Sequence, residues 1–319
     1  MGVSASLCAM SEQGRVAYLV TSYTLPAQVL RLVRTLRAGS PSAHIVLHHD
    51  DRRCSLDRRA LDAAGARALE PSWPVEWGDF SQVAAILRGF RWLLEHTDFE
   101  WMVLLSGQDY PVRPLAAIER DLADSACDGF IETRVIAPPT LRRRNVEEFA
   151  SRYFYRYVAL PDWRVLAPMS SIAPKARPLL LSRQLPSGSR IGWRCARPPF
   201  SATLRCHQGS DWFTLSRRCV AAVDSFARHH PEVVRHYRRT VIPTESFVHT
   251  VLANDPALRL SGDSRRYTSW EPRPAARPRV LRRADLQSML ASGADFARKF
   301  DETVDAGVLD DIDRLTHLA

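Results

Sequence analysis

Two carboxylates and a group of cations are the residues of this chain whose settings suggest chemistry. Asp211 follows Gly209-Ser210 just ahead of an aromatic strand, and Glu245 opens a helix directly after Pro243-Thr244. Either could take the proton from a hydroxyl while its oxygen attacks, the task of a general base. Taken singly, Asp211 reads as a turn residue and Glu245 as a helix N-terminal charge. The cations are Lys299 and seven arginines, Arg265, Arg266, Arg273, Arg277, Arg279, Arg282 and Arg283. Fixed cations can hold a departing diphosphate. One or two of these arginines are expected to meet phosphate, the others to be solvated. A third feature is "SGQDYP", Ser106 to Pro111, which ends the apolar run Trp101 to Leu105. A buried strand that ends in a polar turn is where α/β proteins place ligands. This turn carries a single carboxylate, Asp109, whereas a bound divalent metal would want at least two ligands. The chain's Asp-x-Asp, Asp311-Ile312-Asp313, falls in the C-terminal helical tail and is expected on a solvated surface. No metal ligand is therefore expected.

Familiar alternatives lack their signatures. No G-x-G-x-x-G follows the first strand, and there is no P-loop, H-E-x-x-H or G-x-S-x-G. The six cysteines are scattered without a C-x-x-C pair, which disfavours zinc and reads as reduced thiols in a cytoplasmic protein. A Cys195–Cys206 bridge would need an oxidising compartment. Net charge is +9, from 44 Lys+Arg against 35 Asp+Glu, yet no basic stripe with interleaved aromatics marks a nucleic-acid module. No apolar run approaches membrane-spanning length, and the N-terminus is no secretory signal. Gly2 with Ser6 fits the loose, common myristoylation pattern.

The elements that must hold these residues alternate in the first half. "RVAYLVTSY" reads as a strand. "PAQVLRLVRTLRAG" reads as a helix opened by Pro26 and closed by Gly39. "AHIVLHHD" is a second strand, "QVAAILRGFRWLLEHT" an amphipathic helix, and the run before "SGQDYP" a third strand. A helix over about Leu115 to Ala123 and a short strand "GFIET" follow. This order implies an α/β fold, a mostly parallel central sheet covered by helices. Residues from about Pro161 to Pro199 are rich in Pro, Arg and Ser with weak periodicity and read as a long surface excursion. Order returns with "GSDWFTLSRRCVAAVDSFARHH", a strand then a helix. "PTESFVHTVLAND" is a helix capped by Thr244 or a neighbour, with Glu245 in its first turn. Two helical segments flank Phe296 to Asp301 near the end.

Taken together, "VAYLVTSYTLPAQVLRLVRTL", "IVLHHD", "VEWGDFSQVAAILRGF", "FEWMVLLSGQDYPV", "FIET", "GSDWFTLSRRCV", "PTESFVHTVLAND", "RRYTSW" and "FARKFD" occur in one order along nearly the whole chain. In that order they resemble the core-2/I-branching β-1,6-N-acetylglucosaminyltransferase family, which also contains peptide O-xylosyltransferases. The resemblance implies a single catalytic domain over 1–319 with a GT-A-like glycosyltransferase fold. Residues 15–133 would form its nucleotide-sugar half and 200–319 its acceptor and catalytic half, joined by an irregular connection over 134–199. It implies an inverting, metal-independent transfer from a UDP-sugar to a hydroxyl acceptor (glycan, peptide or small molecule), with no other cofactor.

Carried over residue by residue, Lys299 in "FARKFD" matches the phosphate-binding lysine, and Arg279 or its rival Arg277 matches an upstream basic residue. Asp50 matches a position near the uracil or ribose. Glu132, Tyr267 and Trp270 match acceptor contacts, and Ser106, Gly107 and Asp109 line the site where metal-using relatives carry their motif. The base is the P-x-E glutamate in the branching enzymes, here Glu245, and the G-S-D-W aspartate in the xylosyltransferases, here Asp211. Glu245 is favoured because both branches share that carboxylate. N-acetylglucosamine is the expected donor sugar on family frequency. The wording of "GSDWF" and "PTESF" makes UDP-xylose the alternative. A non-catalytic glycan- or nucleotide-binding module is the rival class. The animal members are Golgi-anchored through a membrane span and stem and carry conserved disulfides. This chain matches neither feature and reads as a bare, bacterial-type soluble domain.

Overall fold

The structure is a computed structural model, and it describes residues 16–139, 147–159, 180–186, 188–270 and 278–317. Gly2, Cys8, Arg273 and Arg277 fall outside them. Elements run in the order β1 (Val16–Ser22), α1 (Pro26–Gly39), β2 (His44–His49), α2 (Arg58–Ala63), β3 (Arg67–Ala68), α3 (Phe80–His96), β4 (Trp101–Ser106), β5 (Asp109–Pro111) and α4 (Leu115–Ala123). Then come β6 (Gly129–Phe130), β7 (Arg134–Val135), α5 (Glu148–Tyr153), β8 (Tyr155–Ala159), β9 (Leu180–Leu185), β10 (Gly188–Arg194), β11 (His207–Gln208) and β12 (Thr214–Ser216). The last third holds α6 (Arg217–His229), α7 (Pro231–Tyr237), a 3₁₀ turn (Pro243–Glu245), α8 (Phe247–Ala253), β13 (Arg266–Thr268), α9 (Leu286–Ala291), β14 (Phe296–Arg298), α10 (Glu302–Asp305) and α11 (Gly307–His317).

The chain divides into two compact units. The first comprises residues 1–70, 92–125 and 265–319. Its main strands are all parallel in the order β3-β2-β1-β4, with Ser22 opposite His49 and Thr21 opposite Ser106. Residues 16–20 and 101–105 are buried without alternation, as strands covered on both faces must be. Helix α1 starts at Pro26, buries Val29, Leu32, Val33 and Leu36 at helical spacing, and stops at Gly39. A second small sheet joins β13 parallel to β14 and β14 antiparallel to β5, setting Arg298 opposite Asp109. The parallel α/β arrangement expected from the alternating elements is thus present.

Asp311 and Asp313 are not simply solvated. Asp313 accepts from Arg31 Nη2 and from the Tyr110 hydroxyl at 2.7 and 2.8 Å. Asp311 pairs with Arg283 Nε at 2.8 Å and with Arg314. The Asp-x-Asp docks α11 instead of facing water, because buried Tyr110 and the stem of Arg31 supply partners that only the folded chain brings there.

The second unit comprises residues 71–91 and 126–264. It contains the antiparallel pairs β6–β12 and β7–β11 and an antiparallel three-stranded sheet in the order β8-β10-β9. In the described parts of 134–199 that sheet corrects the expectation of an irregular connection, while 140–146, 160–179 and 187, with much of the expected surface excursion, lie outside the described residues. Tyr155, Tyr157, Leu181, Leu185 and Gly192 alternate onto its buried face. Arginines interspersed among them masked the period of two, since their stems pack while their heads find partners. Glu245 lies in the 3₁₀ turn ahead of α8, not in the first turn of that helix, and Ser246 precedes α8. Cys195 and Cys206 are free, buried thiols, so the bridge between them is not formed. Among the described residues no helix is long and apolar enough to cross a membrane.

Candidate functional site

The donor-side residues belong to the first unit. The "SGQDYP" turn follows β4 at the C-terminal edge of the parallel strands. Asp109 is buried and uses both oxygens: Oδ1 accepts from Arg298 Nε at 2.8 Å and Oδ2 from the Ser106 backbone N–H at 2.6 Å. Gly107 donates its N–H to Thr21 O at 3.0 Å. A Cβ on Gly107 would lie 2.6 Å from Val29 Cγ2, so only glycine lets the turn sit on α1. Gln28 of α1 donates Nε2 to Gly107 O at 2.9 Å and to Phe300 O at 3.2 Å, and its Oε1 accepts from Glu302 N at 2.8 Å. Phe300 N–H bonds Gln108 O at 2.9 Å. The turn is therefore a mount for the "FARKFD" segment, and Lys299 is held between Arg298 and Phe300, both tied to it. Gln28 and Arg298 were not singled out from sequence. Their roles rest on contacts 79 to 274 residues apart in the chain.

Arg279 is bonded to the same region, since two residues on the Leu281 N–H reaches Lys299 O at 2.8 Å. Its guanidinium meets Asp285 in a two-pronged pair and Ser269 Oγ at 2.8 Å. Tyr267 on β13 is half-buried beside Ala297, and Trp270 is 59% exposed. Asp50 directly follows β2 and is buried, with Arg52 Nε 2.9 Å from Oδ1 and Nη2 2.7 Å from Oδ2. Among the described residues no cluster of three or more His, Cys, Asp or Glu is placed to hold a metal.

The second unit gathers the carboxylates. Glu245 Oε2 accepts from Arg152 Nη1 at 2.5 Å, and its backbone O accepts from Gly209 N at 2.9 Å. Burial first, then the Asp211 carboxylate, pushes the Glu245 carboxyl up to about 7, against the opposing pull of Arg152. Asp211 sits on the loop that Gly209 starts. His249 fixes this loop by donating Nε2–H to Ser210 O at 2.8 Å. Burial drives the His249 imidazole down to about 4, so it is a neutral donor near pH 7. Glu132 accepts from the buried Ser264 hydroxyl at 2.9 Å. Three carboxylates expected from sequence, Glu132, Asp211 and Glu245, thus belong to one unit. Their chain neighbours interlock, whereas Tyr267 and Trp270 belong to the other unit. Arg152, His249 and Ser264 were missed, and Gly209 was noted only as the start of the motif that carries Asp211. His249 was discoverable, being four residues past Glu245. Arg152 carried no signal in its arginine-rich surroundings.

Gly209 is the tightest point. A Cβ there would fall 2.0 Å from Glu132 O and 2.7 Å from His249 Cδ2. Gly209→Ala is expected to cost about 3 kcal/mol, the upper part of the overpacking range. It should also displace Asp211. A urea melt measures the first effect, and an unshifted midpoint would mean that the loop yields freely.

The family model for the core-2/I-branching enzyme matches residues 16–290. Xylosyltransferase 2 of Canis lupus familiaris is 25% identical over 94% of this chain and 33% of its own. Human xylosyltransferase 1 is 26% identical over 94% and 30%, respectively. Beta-glucuronosyltransferase GlcAT14A of Arabidopsis thaliana is 25% identical over 94% and 63%. The chain spans about a third of the length of the xylosyltransferases it matches. With most of its length matched, and with the "GSDWF", "PTESF" and "FARKFD" segments each fixed in the fold as described, this chain belongs to the core-2/I-branching enzyme family of glycosyltransferases.

Proposed function

We propose that this chain is an inverting glycosyltransferase that moves a sugar from a UDP-sugar to an acceptor hydroxyl without a metal. The observation that carries the reading is the setting of Glu245: its backbone O holds Gly209 of the Asp211 loop at 2.9 Å and its Oε2 is pinned by Arg152 at 2.5 Å, and burial with the Asp211 carboxylate pushes its carboxyl up to about 7, which suits a base working at neutral pH. Glu245 takes the acceptor proton as the hydroxyl oxygen attacks the anomeric carbon from the face opposite UDP. The C1–O bond to the diphosphate breaks, and UDP departs with the electron pair. Lys299, with Arg279, neutralises the departing diphosphate. Support for a metal-free site comes from Asp109, whose oxygens are both occupied by Arg298 and the Ser106 N–H. The xylosyltransferase relatives favour UDP-xylose over UDP-N-acetylglucosamine as the first donor to try.

The test is calorimetric titration with UDP in EDTA, repeated with Mn²⁺. Equal binding in both supports the reading, and binding only with Mn²⁺ overturns its metal-free part. Lys299→Ala is expected to weaken UDP at least about tenfold, the loss of one charge-assisted contact of about 1.4 kcal/mol or more. Unchanged affinity would remove Lys299 from the site. UDP release from UDP-xylose and UDP-N-acetylglucosamine then identifies the donor. Binding with no release from either, under any acceptor tried, would favour the non-catalytic module.

A further inference from the structure

Arg152 lies at the centre of the acidic cluster. Its Nη1 donates to Glu245 Oε2 at 2.5 Å and its Nη2 to Glu148 Oε1 at 2.6 Å. The guanidinium lies over the Phe149 ring, 4.8 Å from its centroid, and the side chain is only 11% exposed. Arg152 Nε is buried with no hydrogen-bond partner among the described residues. Glu245 Oε1 takes no hydrogen bond among them either. One oxygen of the carboxylate is therefore pinned while the other stays available.

We propose that Arg152 is the positioning residue of the base: it fixes Glu245 by Oε2 so that Oε1 receives the acceptor proton, and it shares its charge with Glu148. The proposal rests on Glu245 acting as the base. The sharing matters chemically. A guanidinium devoted to one carboxylate would hold it ionised and weakly basic. A second carboxylate on the same guanidinium reduces that effect, and Glu148 itself acts on Glu245 in the raising direction. The charged groups with the largest effect on Glu245 are Asp211 from its loop and Arg152 and Glu148 from α5, and the Arg183 guanidinium of β9 also reaches α5, at Glu148 O and Ser151 Oγ. The nearby imidazoles His207 and His249 are both driven down by burial and are neutral near pH 7. Tyr153, which follows Arg152 in the chain, is held protonated by burial.

Opposite shifts are expected from the two partners. Arg152→Gln removes the cation, so Glu245 should titrate at least about one pH unit higher. Glu148→Gln frees the cation for Glu245 and should lower its titration. Glu148 is largely exposed on the surface of α5, so this second variant is expected to fold even where the first does not. Arg152→Lys keeps the charge without the fork, so the titration should stay near the wild-type value while the plateau rate falls.

The measurement is a pH titration of the ¹³C-labelled glutamate side-chain carboxyls. Glu245 is identified by the resonance missing from Glu245→Gln. Rates of UDP release from UDP-xylose are followed in parallel. A Glu245 resonance that titrates identically in Glu148→Gln and in every folded Arg152 variant overturns the proposal. Undiminished UDP release by Glu245→Gln instead overturns the assignment of the base, whatever Arg152 does.

Discussion

Glu245→Gln is expected to lower turnover about 100- to 10,000-fold, the range for loss of a general base, while leaving UDP affinity unchanged. Gln keeps the shape and can still accept from Arg152, so the loss isolates proton removal. In the wild type, activity should rise with pH through about 7, as Glu245 deprotonates. Stability should run the other way. The folded chain holds this proton to about 7 whereas the unfolded chain releases it near the ordinary carboxylate value of 4.5. Between those values the native state binds more protons. The stabilisation due to protonation is therefore complete below the lower pKa and lost as pH rises through the upper one. Above pH 7 the wild type carries a buried carboxylate facing Asp211 that the variant lacks. The variant should accordingly melt higher than wild type at pH 8 and not at pH 4. Rates of UDP release, calorimetry and thermal melts at the two pH values check the three parts. Near-normal turnover in Glu245→Gln would transfer the base role to Asp211.

Asp109→Asn is expected to cost about 3 kcal/mol, the low end of the penalty for breaking a buried ion pair. Against a total stability of about 5–15 kcal/mol this is a large fraction. The Asp109 side chain has no exposed surface, and Arg298 is only 16% exposed, so water cannot replace the lost charge interaction. Because Arg298 precedes Lys299, the folded variant should also bind UDP more weakly. Urea denaturation measures the stability loss through its midpoint, with calorimetry on the folded protein for UDP. A variant of unchanged stability whose UDP binding now ignores Mn²⁺, when the wild type needed it, would make Asp109 a metal ligand. A destabilised variant with metal-indifferent UDP binding in both forms is the expected result.

Much of the fold was legible because its signals are local. In α1, Pro26, the apolar spacing through Leu36 and Gly39 each act within a turn or two. The unbroken apolar runs of β1 and β4 are what strands covered on both faces require. Residues 180–194 were illegible for a corresponding reason: their alternation uses arginine stems and a glycine on the buried face, and composition registers those as polar loop. The site divides in the same way. Asp211, Glu245 and Lys299 sit in short motifs whose residue types carry the chemistry. Arg152, Gln28 and Arg298 are ordinary side chains that gain a role from partners far away in sequence.

By itself the sequence determined which groups are available for reaction: two candidate bases, a lysine between a basic and an aromatic neighbour, and one lone carboxylate after a buried strand. Residue type and local spacing suffice for that, because proton affinity and charge belong to the side chain. Only the tertiary structure decided how those groups are tuned and held. Burial beside Asp211 makes Glu245 basic near neutral pH, and Arg298 turns Asp109 into a mount for Lys299. Both effects depend on desolvation and on distances of a few ångströms, quantities that exist only once remote segments pack together.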